Sequence, residues 1–506
     1  MTHEILEADY VIVGAGAVGM TFADTLLAES DATIIMIDRR HAPGGHWNDA
    51  YPFVRLHSPS AAYGVGSVPL GQDRIDASGQ DAGMQERAGA AEICAYFDRV
   101  MRQRLLPSGR VFFLPSSDYG PGGKVTCRFG GAPRTVQARR RVVDATFADT
   151  RIPATHAPAF AVAPGVQCVS PGELARHSRP ATGHVVIGGG KTAMDTVVWL
   201  LEQGAAPDTI TWIRPRDSWL LDRSRVQTDL RFFARTIGGF AAEFEAARDA
   251  LSVDDLFARL EMAGQLRRID PTVEPTMYRC AIVSGAELAL MRQVTRVVRL
   301  GRVQAIEPHR ILLDGGSVPT SPDQVHIHCC ADGIPRRPPQ PMFQPGRIVP
   351  QYVRHCSPTF SAALVAHVET RFDDDASKNA LCAPVTLPDE PLDWLRMLVQ
   401  EARNAAEWRK HPDIRQWLAA CRLNAYAALM ERGAREPMQE HKEILRRFRD
   451  ACAPALERLA QLLAHAEGAA AQRRDAPAHG TQRPVEESAA RARRADATRA
   501  PAACSG

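Results

Sequence analysis

The sequence predicts an α/β protein that ends in a helical extension, and three observations predict it. From the amino terminus to about residue 380, short β-branched runs alternate with helical patterns and Gly/Pro turns, the pattern of layered α/β folds. Two glycine-rich turns of nearly the same form, at 14 to 19 and 188 to 193, each stand between an apolar strand and a helix. From about 388 to 466 the apolar residues recur at three and four, as in "DWLRMLVQEARNAAEWRKHPDIRQWLAACRLNAYAALMER", which predicts helices throughout.

The 506 residues suffice for two or three domains with large cores. Apolar content of 45 % and charged content of 24 % are ordinary for a globular chain. A net charge of +3 over this length gives no reason to expect nucleic acid or an anionic membrane as the main partner. The start, "MTHEILEADYVIVGAG", lacks a basic region followed by an apolar core, so no cleavable secretion signal is expected. No apolar run approaches the ~20 residues of a membrane span. The expectation is a cytoplasmic protein. Its 11 cysteines include the adjacent Cys329 and Cys330 but no Cys-x-x-Cys, so neither a zinc site nor a dithiol mechanism is expected.

The first turn lies in "DYVIVGAGAVGMTFADTLL". Gly14, Gly16 and Gly19 supply G-x-G-x-x-G at the opening of a helix. The first glycine permits the tight turn, the second lets backbone approach a pyrophosphate, and the third lets helix and strand pack closely. Helix-terminal N–H groups then face the phosphates. The next strand, "ATIIMID", ends at Asp38, where an acid binds ribose hydroxyls.

The second turn lies in "GHVVIGGGKTAMDTVVWLLEQG", with Gly188, Gly190 and, in the third glycine's place, Ala193. The strand that follows, "DTITWIRPRDSW", ends not in an acid but in Arg214, with Arg216 close by. A guanidinium there pairs with a 2′-phosphate that an acid would repel, which favours NADPH over NADH. The first site, which carries the ribose acid, suits FAD.

The predicted architecture is therefore two Rossmann-like dinucleotide-binding domains, with the NADPH domain inserted in the FAD domain. Residues 1–165 form the first part of the FAD domain, 166–324 the NADPH domain and 325–385 the return to the FAD domain. Residues 386–466 are the helical extension. The return is read from a strand over Val325 to Cys329 followed by Ala331-Asp332-Gly333 in "QVHIHCCADGIPRRPP". Residues 467–506, rich in Ala, Arg and Pro and almost free of large apolar side chains, are expected to be a disordered tail.

These residues resemble the two-dinucleotide-binding-domain flavoproteins, and within them the flavin-containing and Baeyer-Villiger monooxygenases. The resemblance covers most of residues 5 to 380 and is carried by G-A-G at 14 to 16, Asp38, "GGHW" at 44 to 47, "LHSP" at 56 to 59, "GGGKTAMD" at 188 to 195, and Ala331-Asp332-Gly333. Disulfide reductases of the same superfamily follow their Gly-Gly with a cysteine pair. Here Gly45 is followed by His46, Trp47 and Asn48, which looks like the G-G-x-W of the monooxygenases.

By resemblance, Gly45, Trp47 and Asp332 belong to the cofactor site, and His57 and Ser58 lie near the flavin ring as catalytic candidates. The resemblance implies that NADPH reduces FAD, that oxygen adds as a flavin hydroperoxide, and that a small organic substrate is oxygenated, with molecular oxygen as co-substrate. The F-x-G-x-x-x-H fingerprint of these enzymes has only a partial echo in "SPGELARH", where Ser170 replaces the aromatic residue and His177 falls one position late. A second reading keeps NADPH and FAD and passes electrons to a quinone or a protein acceptor without oxygen insertion. Substrate identity and oligomeric state are not written in the sequence.

Overall fold

A computed structural model describes residues 5–178, 181–331, 333 and 335–475. Two parallel sheets organise it. In the first, the strand Ile5–Val13 lies between Ile34–Ile37 and Arg134–Asp144, all parallel, with Val111–Leu114 beyond Ile34–Ile37. Ile34–Ile37 is buried at every position, as expected of a central strand covered on both faces. One face is closed by the helices Ala17–Glu29 and Pro358–Arg371, which pack together and contribute Met20, Phe22, Phe360 and Leu364 to the largest core.

The second sheet runs Val297–Val298, Ile210–Ile213, Gly183–Ile187, Gln324–His328, Cys168–Val169, again all parallel. The helix Lys191–Glu202 follows its central strand and buries Ala193, Met194, Val197 and Leu200 against it.

Two expectations are corrected. The strand read as the return to the first sheet spans Gln324–His328 and belongs to the second, where it pairs with Gly183–Ile187 and Cys168–Val169. Val325 and Ile327 fill the second core, so burial on both sides fixes the strand there. The chain re-enters the first sheet at Arg347–Ile348, which pairs with Val142 and Val143. Its two-residue partner strand Phe343–Gln344 is too short for periodicity to reveal.

The expected tail also starts too early, because the helix Gln439–Asp475 runs beyond residue 467. Its Ala, Gln and Arg residues are strong helix formers even without large apolar neighbours. Residues 464–506 form a separate unit, of which 464–475 are described. The rest of the tail lies outside the described residues, as does Asp332.

Residues 218 to 283 leave the second sheet. They build a three-stranded sheet and the helices Phe233–Asp249 and Val253–Met262. With the C-terminal helices they share a core in which Trp219, Phe257, Tyr278 and Trp394 form an aromatic cluster. The segment Ala425–Arg435 docks on Phe233–Asp249 through Gly433, where an added Cβ would overlap the ring of Phe233, itself fully buried.

Gly433→Ala gains about 1 kcal/mol of helix propensity, but overpacking against a ring with no room to swing costs about 1–3 kcal/mol. Steric overlap wins: the variant is expected to unfold at a lower temperature than the parent. An unchanged or raised thermal midpoint would show that this contact is loose.

Candidate functional site

The first glycine turn is built by backbone approach. Gly14 has φ +102°, and a Cβ on Gly19 would overlap the carbonyl oxygen of Gly14. The Gly44–Gly45 turn lies directly on it: Gly44 N–H donates to the Ala15 carbonyl at 2.9 Å, and a Cβ on Gly45 would sit 2.9 Å from the Gly16 Cα. Gly44 and Gly45 have φ of +115° and +60°, a conformation glycine adopts without strain. Asp38 ends the neighbouring strand and is buried, accepting from Ala15 N–H at 2.6 Å and from Arg40 N–H at 2.8 Å. A carboxylate has about four acceptor sites, so it retains capacity for ribose hydroxyls.

Trp47 donates its indole N–H to the Tyr63 hydroxyl at 2.9 Å and packs at the edge of the large core. His46 stacks on Trp47, and burial together with the Arg40 charge pushes its pKa down to about 4.

The second turn repeats the cradle. Gly188 has φ +138° and lies against the Cys329 carbonyl, while Gly190, at the helix N-cap, has nothing within 4 Å of where a Cβ would stand. That open position is the place for a ligand's close approach. Ala193 is fully buried against the second core.

Arg214 is 1 % exposed, stacks on Trp212 at 4.6 Å, and uses one nitrogen, Nη2, on Asp217 at 2.9 Å. Its Nε and Nη1 have no partner, and burial pulls its pKa down to about 10. Buried donors of this kind are costly unless something fills them. Arg216 differs: its guanidinium donates to the Thr276 carbonyl at 2.8 Å and to Asp389 at 3.3 Å, so its donors are engaged by the protein itself at a partly exposed position.

Between the two turns lies a network that the sequence reading did not find. Tyr51, just past "GGHW", donates its hydroxyl to Asp195 at 2.7 Å, and Phe53 stacks on Trp199 with ring centroids 4.8 Å apart. Both partners stand on the Lys191–Glu202 helix, so the segment after the first turn docks on the helix that opens at the second.

Lys191 pairs with Asp195 and lies 3.9 Å from Glu287. Arg223, fully buried, bonds Asp81 at 2.6 Å and Glu287 at 2.8 Å. Arg87 pairs with Asp81 and donates to the Leu56 carbonyl at 2.7 Å. Burial works to raise the Asp195 and Glu287 carboxyls, but the Lys191 charge on both, with the arginines on Glu287, outweighs it and holds both below the usual range.

His57 stands within reach of these charges. Burial first, and the Lys191 charge second, push its pKa down to about 4. Ser170, in the partial fingerprint, caps a short helix by accepting from Glu173 N–H, and His177 Nε2 is buried without a partner.

Among these residues only Lys191 and Asp195 had a local signal, an i,i+4 pair at a helix start. Asp81, Arg87, Arg223 and Glu287 come from scattered segments. Among the described residues no cluster of three or more His, Cys, Asp or Glu could hold a metal ion, and no helix is long and apolar enough to cross a membrane.

A family model described as an NAD(P)-binding Rossmann-like domain matches residues 12–63. Among solved structures, the fold is similar to a flavin-containing monooxygenase from Stenotrophomonas maltophilia (16 % identity, 75 % of this chain and 100 % of that one, TM-score 0.44). It is also similar to an oxidized steroid monooxygenase bound to NADP (15 %, 72 % and 84 %, 0.46) and to an open form of cyclohexanone monooxygenase (14 %, 85 % and 98 %, 0.46). Among curated proteins, the chain is 46 % identical over 472 residues to the uncharacterized proteins Rv2000 of Mycobacterium tuberculosis and Mb2023 of Mycobacterium bovis, covering 92 % of this chain and 87 % of each of those. It belongs to the same family as these mycobacterial proteins and carries an NAD(P)-binding Rossmann-like domain near its amino-terminal end.

Proposed function

We propose that this chain is an FAD- and NADPH-dependent oxidoreductase that acts as a monooxygenase on a small organic substrate. The observation that carries the reading is the docking of Tyr51 and Phe53 on the Lys191–Glu202 helix, which ties the segment after the first glycine turn to the helix that opens at the second. The residues fit the two cofactors. Gly14, Gly16 and Gly19 form a cradle that side chains would fill, and Asp38 keeps acceptor capacity for an adenosine ribose. The open Gly190 and the orphaned Nε and Nη1 of Arg214 suit a nicotinamide dinucleotide that carries a 2′-phosphate.

When bound, such a flavin supplies hydride acceptance from the nicotinamide and, once reduced, reaction with oxygen. The protein's part is to bind, orient and exclude water. His57 is neutral at physiological pH, so its ring offers one N–H donor and one acceptor nitrogen to a bound group without adding charge. Tyr51, its hydroxyl directed onto Asp195 and its pKa pushed well up by burial, stays protonated and holds the Lys191–Asp195 pair in place. "GGHW" and "LHSP" support the choice of monooxygenase by their likeness to the flavin monooxygenase motifs. In this reading the catalytic candidates are His57 and Ser58.

The test is product formation by FAD-loaded protein with NADPH. The reading expects oxygenated product in step with oxygen consumption. Product formed equally well without air would replace it with electron transfer to another acceptor.

Loss of charge-assisted bonds worth about 1.5–3 kcal/mol in Arg214→Gln is expected to weaken NADPH binding by about 10- to 100-fold and leave NADH nearly unchanged, measured by titration of the reduced cofactors. Equal weakening of both would remove Arg214 from 2′-phosphate recognition.

The depressed His57 pKa also has a sign. The unfolded chain takes up this proton near 6.5 and the folded chain only near 4, so the group's effect is absent above 6.5 and folding stability is lost as pH falls between those values. His57→Gln is expected to lose less stability than the parent across that window in chemical denaturation. Parallel loss in both proteins would mean that His57 titrates freely.

A further inference from the structure

In the helical extension a cavity of about 330 Å³ opens between the helices Pro391–Trp408, Pro412–Ala420 and Ala425–Arg435. That volume lies at the lower end of the range for small-molecule pockets. Trp408 and Leu418 line it, with alanines from all three helices beside them. The Trp408 indole N–H donates to the Leu381 carbonyl at 2.8 Å, so the ring offers the cavity apolar surface and no donor.

Three arginines line the same cavity, Arg354, Arg409 and Arg415. Among the described residues none of them pairs with a carboxylate: Glu431, the one acid in the lining, pairs with Arg435, and Glu401, on the helix that carries Trp408, is bound to His355. The cavity is therefore cationic as well as apolar.

Arg354 is the fixed part of this arrangement. Its guanidinium carbon stands 3.9 Å from the centre of the Phe360 ring and 5.6 Å from that of Trp408, and its Nη1 donates to the Asn424 side-chain oxygen at 2.7 Å. Two rings and an amide hold the group in place but supply no countercharge. Burial pulls its pKa below the usual arginine range, and a cation withdrawn from water is costly until an anion meets it. Nε and Nη2 have no protein partner among the described residues and are not sealed in. With Nη1 committed to Asn424, the Nε–Nη2 edge remains, and it matches the two oxygens of a carboxylate. Arg409 and Arg415 are exposed, and Arg415 Nη1 donates to the Arg409 carbonyl at 3.1 Å.

We propose that this cavity is a binding site for a small organic carboxylate with an apolar body, its two oxygens on the Nε–Nη2 edge of Arg354 and its body against Trp408 and Leu418. Arg409 and Arg415 raise the local positive potential and draw the anion in. An inorganic anion leaves the apolar lining unused, and an uncharged apolar molecule leaves Arg354 without a countercharge. An amphipathic acid satisfies both. The site shares no residue with either glycine turn, so the inference is independent of the cofactor assignment.

The test is isothermal titration calorimetry of the full-length protein with octanoate and 1-naphthoate, with octanol and inorganic phosphate as probes that carry only one of the two features. Both acids are expected to bind, and octanol and phosphate to bind at least about 10-fold more weakly. In Arg354→Gln the affinity for the acids is expected to fall about 10- to 100-fold. In Arg409→Ala/Arg415→Ala, which changes only exposed side chains, it is expected to fall about fivefold. Failure of both acids to bind the parent, or octanol or phosphate binding as tightly as octanoate, would overturn the inference. So would unchanged acid affinity in a folded Arg354→Gln protein or, where that variant does not fold, in Arg409→Ala/Arg415→Ala.

Discussion

Six buried or half-buried charges constrain how this chain is put together. Arg87, Arg223 and Lys191 are matched against Asp81, Asp195 and Glu287 through direct pairs. Removing charges from water costs several kcal/mol each, and only complete mutual pairing offsets it. Any displacement of the 51–87 segment from the second sheet would leave a buried charge alone, so the network admits one docking and penalises others. Tyr51 and Phe53 then complete that docking with a hydrogen bond and a ring stack on a single helix.

From this constraint the character of the site follows. Both glycine turns gain their form from backbone-to-backbone approach, which leaves N–H groups and open space where side chains would otherwise stand. His57 remains neutral in this strongly polar neighbourhood because burial and then the nearby cations, Lys191 first, both oppose its protonation. Arg214 is matched less fully than Arg223: Asp217 takes its Nη2 while Nε and Nη1 have no partner, whereas Arg223 lacks one only at Nε. An incompletely satisfied buried cation at the end of a strand is a ready place for an anion.

Those parts of the fold that depend on backbone geometry were legible in the sequence, because close approach restricts residue identity. Gly14, Gly16, Gly19, Gly188 and Gly190 stand where their spacing indicated, and Asp38 is at the end of the neighbouring strand. What depends on pairing between distant segments was not legible. Asp81, Arg87, Arg223 and Glu287 look like ordinary surface charges in the linear chain, and nothing local says that they are buried. The same reason separates Arg214 from Arg216: one faces the core and the other is held by Thr276 and Asp389, a difference set by neighbours far away in sequence. The strand Gln324–His328 was recognised as a strand but assigned to the other sheet, since an apolar run states burial and not its partner.

The proposed function requires hydride transfer between cofactors held at the two glycine turns, whose segments the Tyr51–Asp195 contact ties together. Anaerobic addition of one equivalent of NADPH to the FAD-loaded protein, followed by its visible absorption, tests this most directly. The account predicts that the oxidised flavin band bleaches, and that it does so more slowly in Tyr51→Phe although both cofactors still bind. A protein that binds FAD and NADPH and keeps its oxidised band would contradict it.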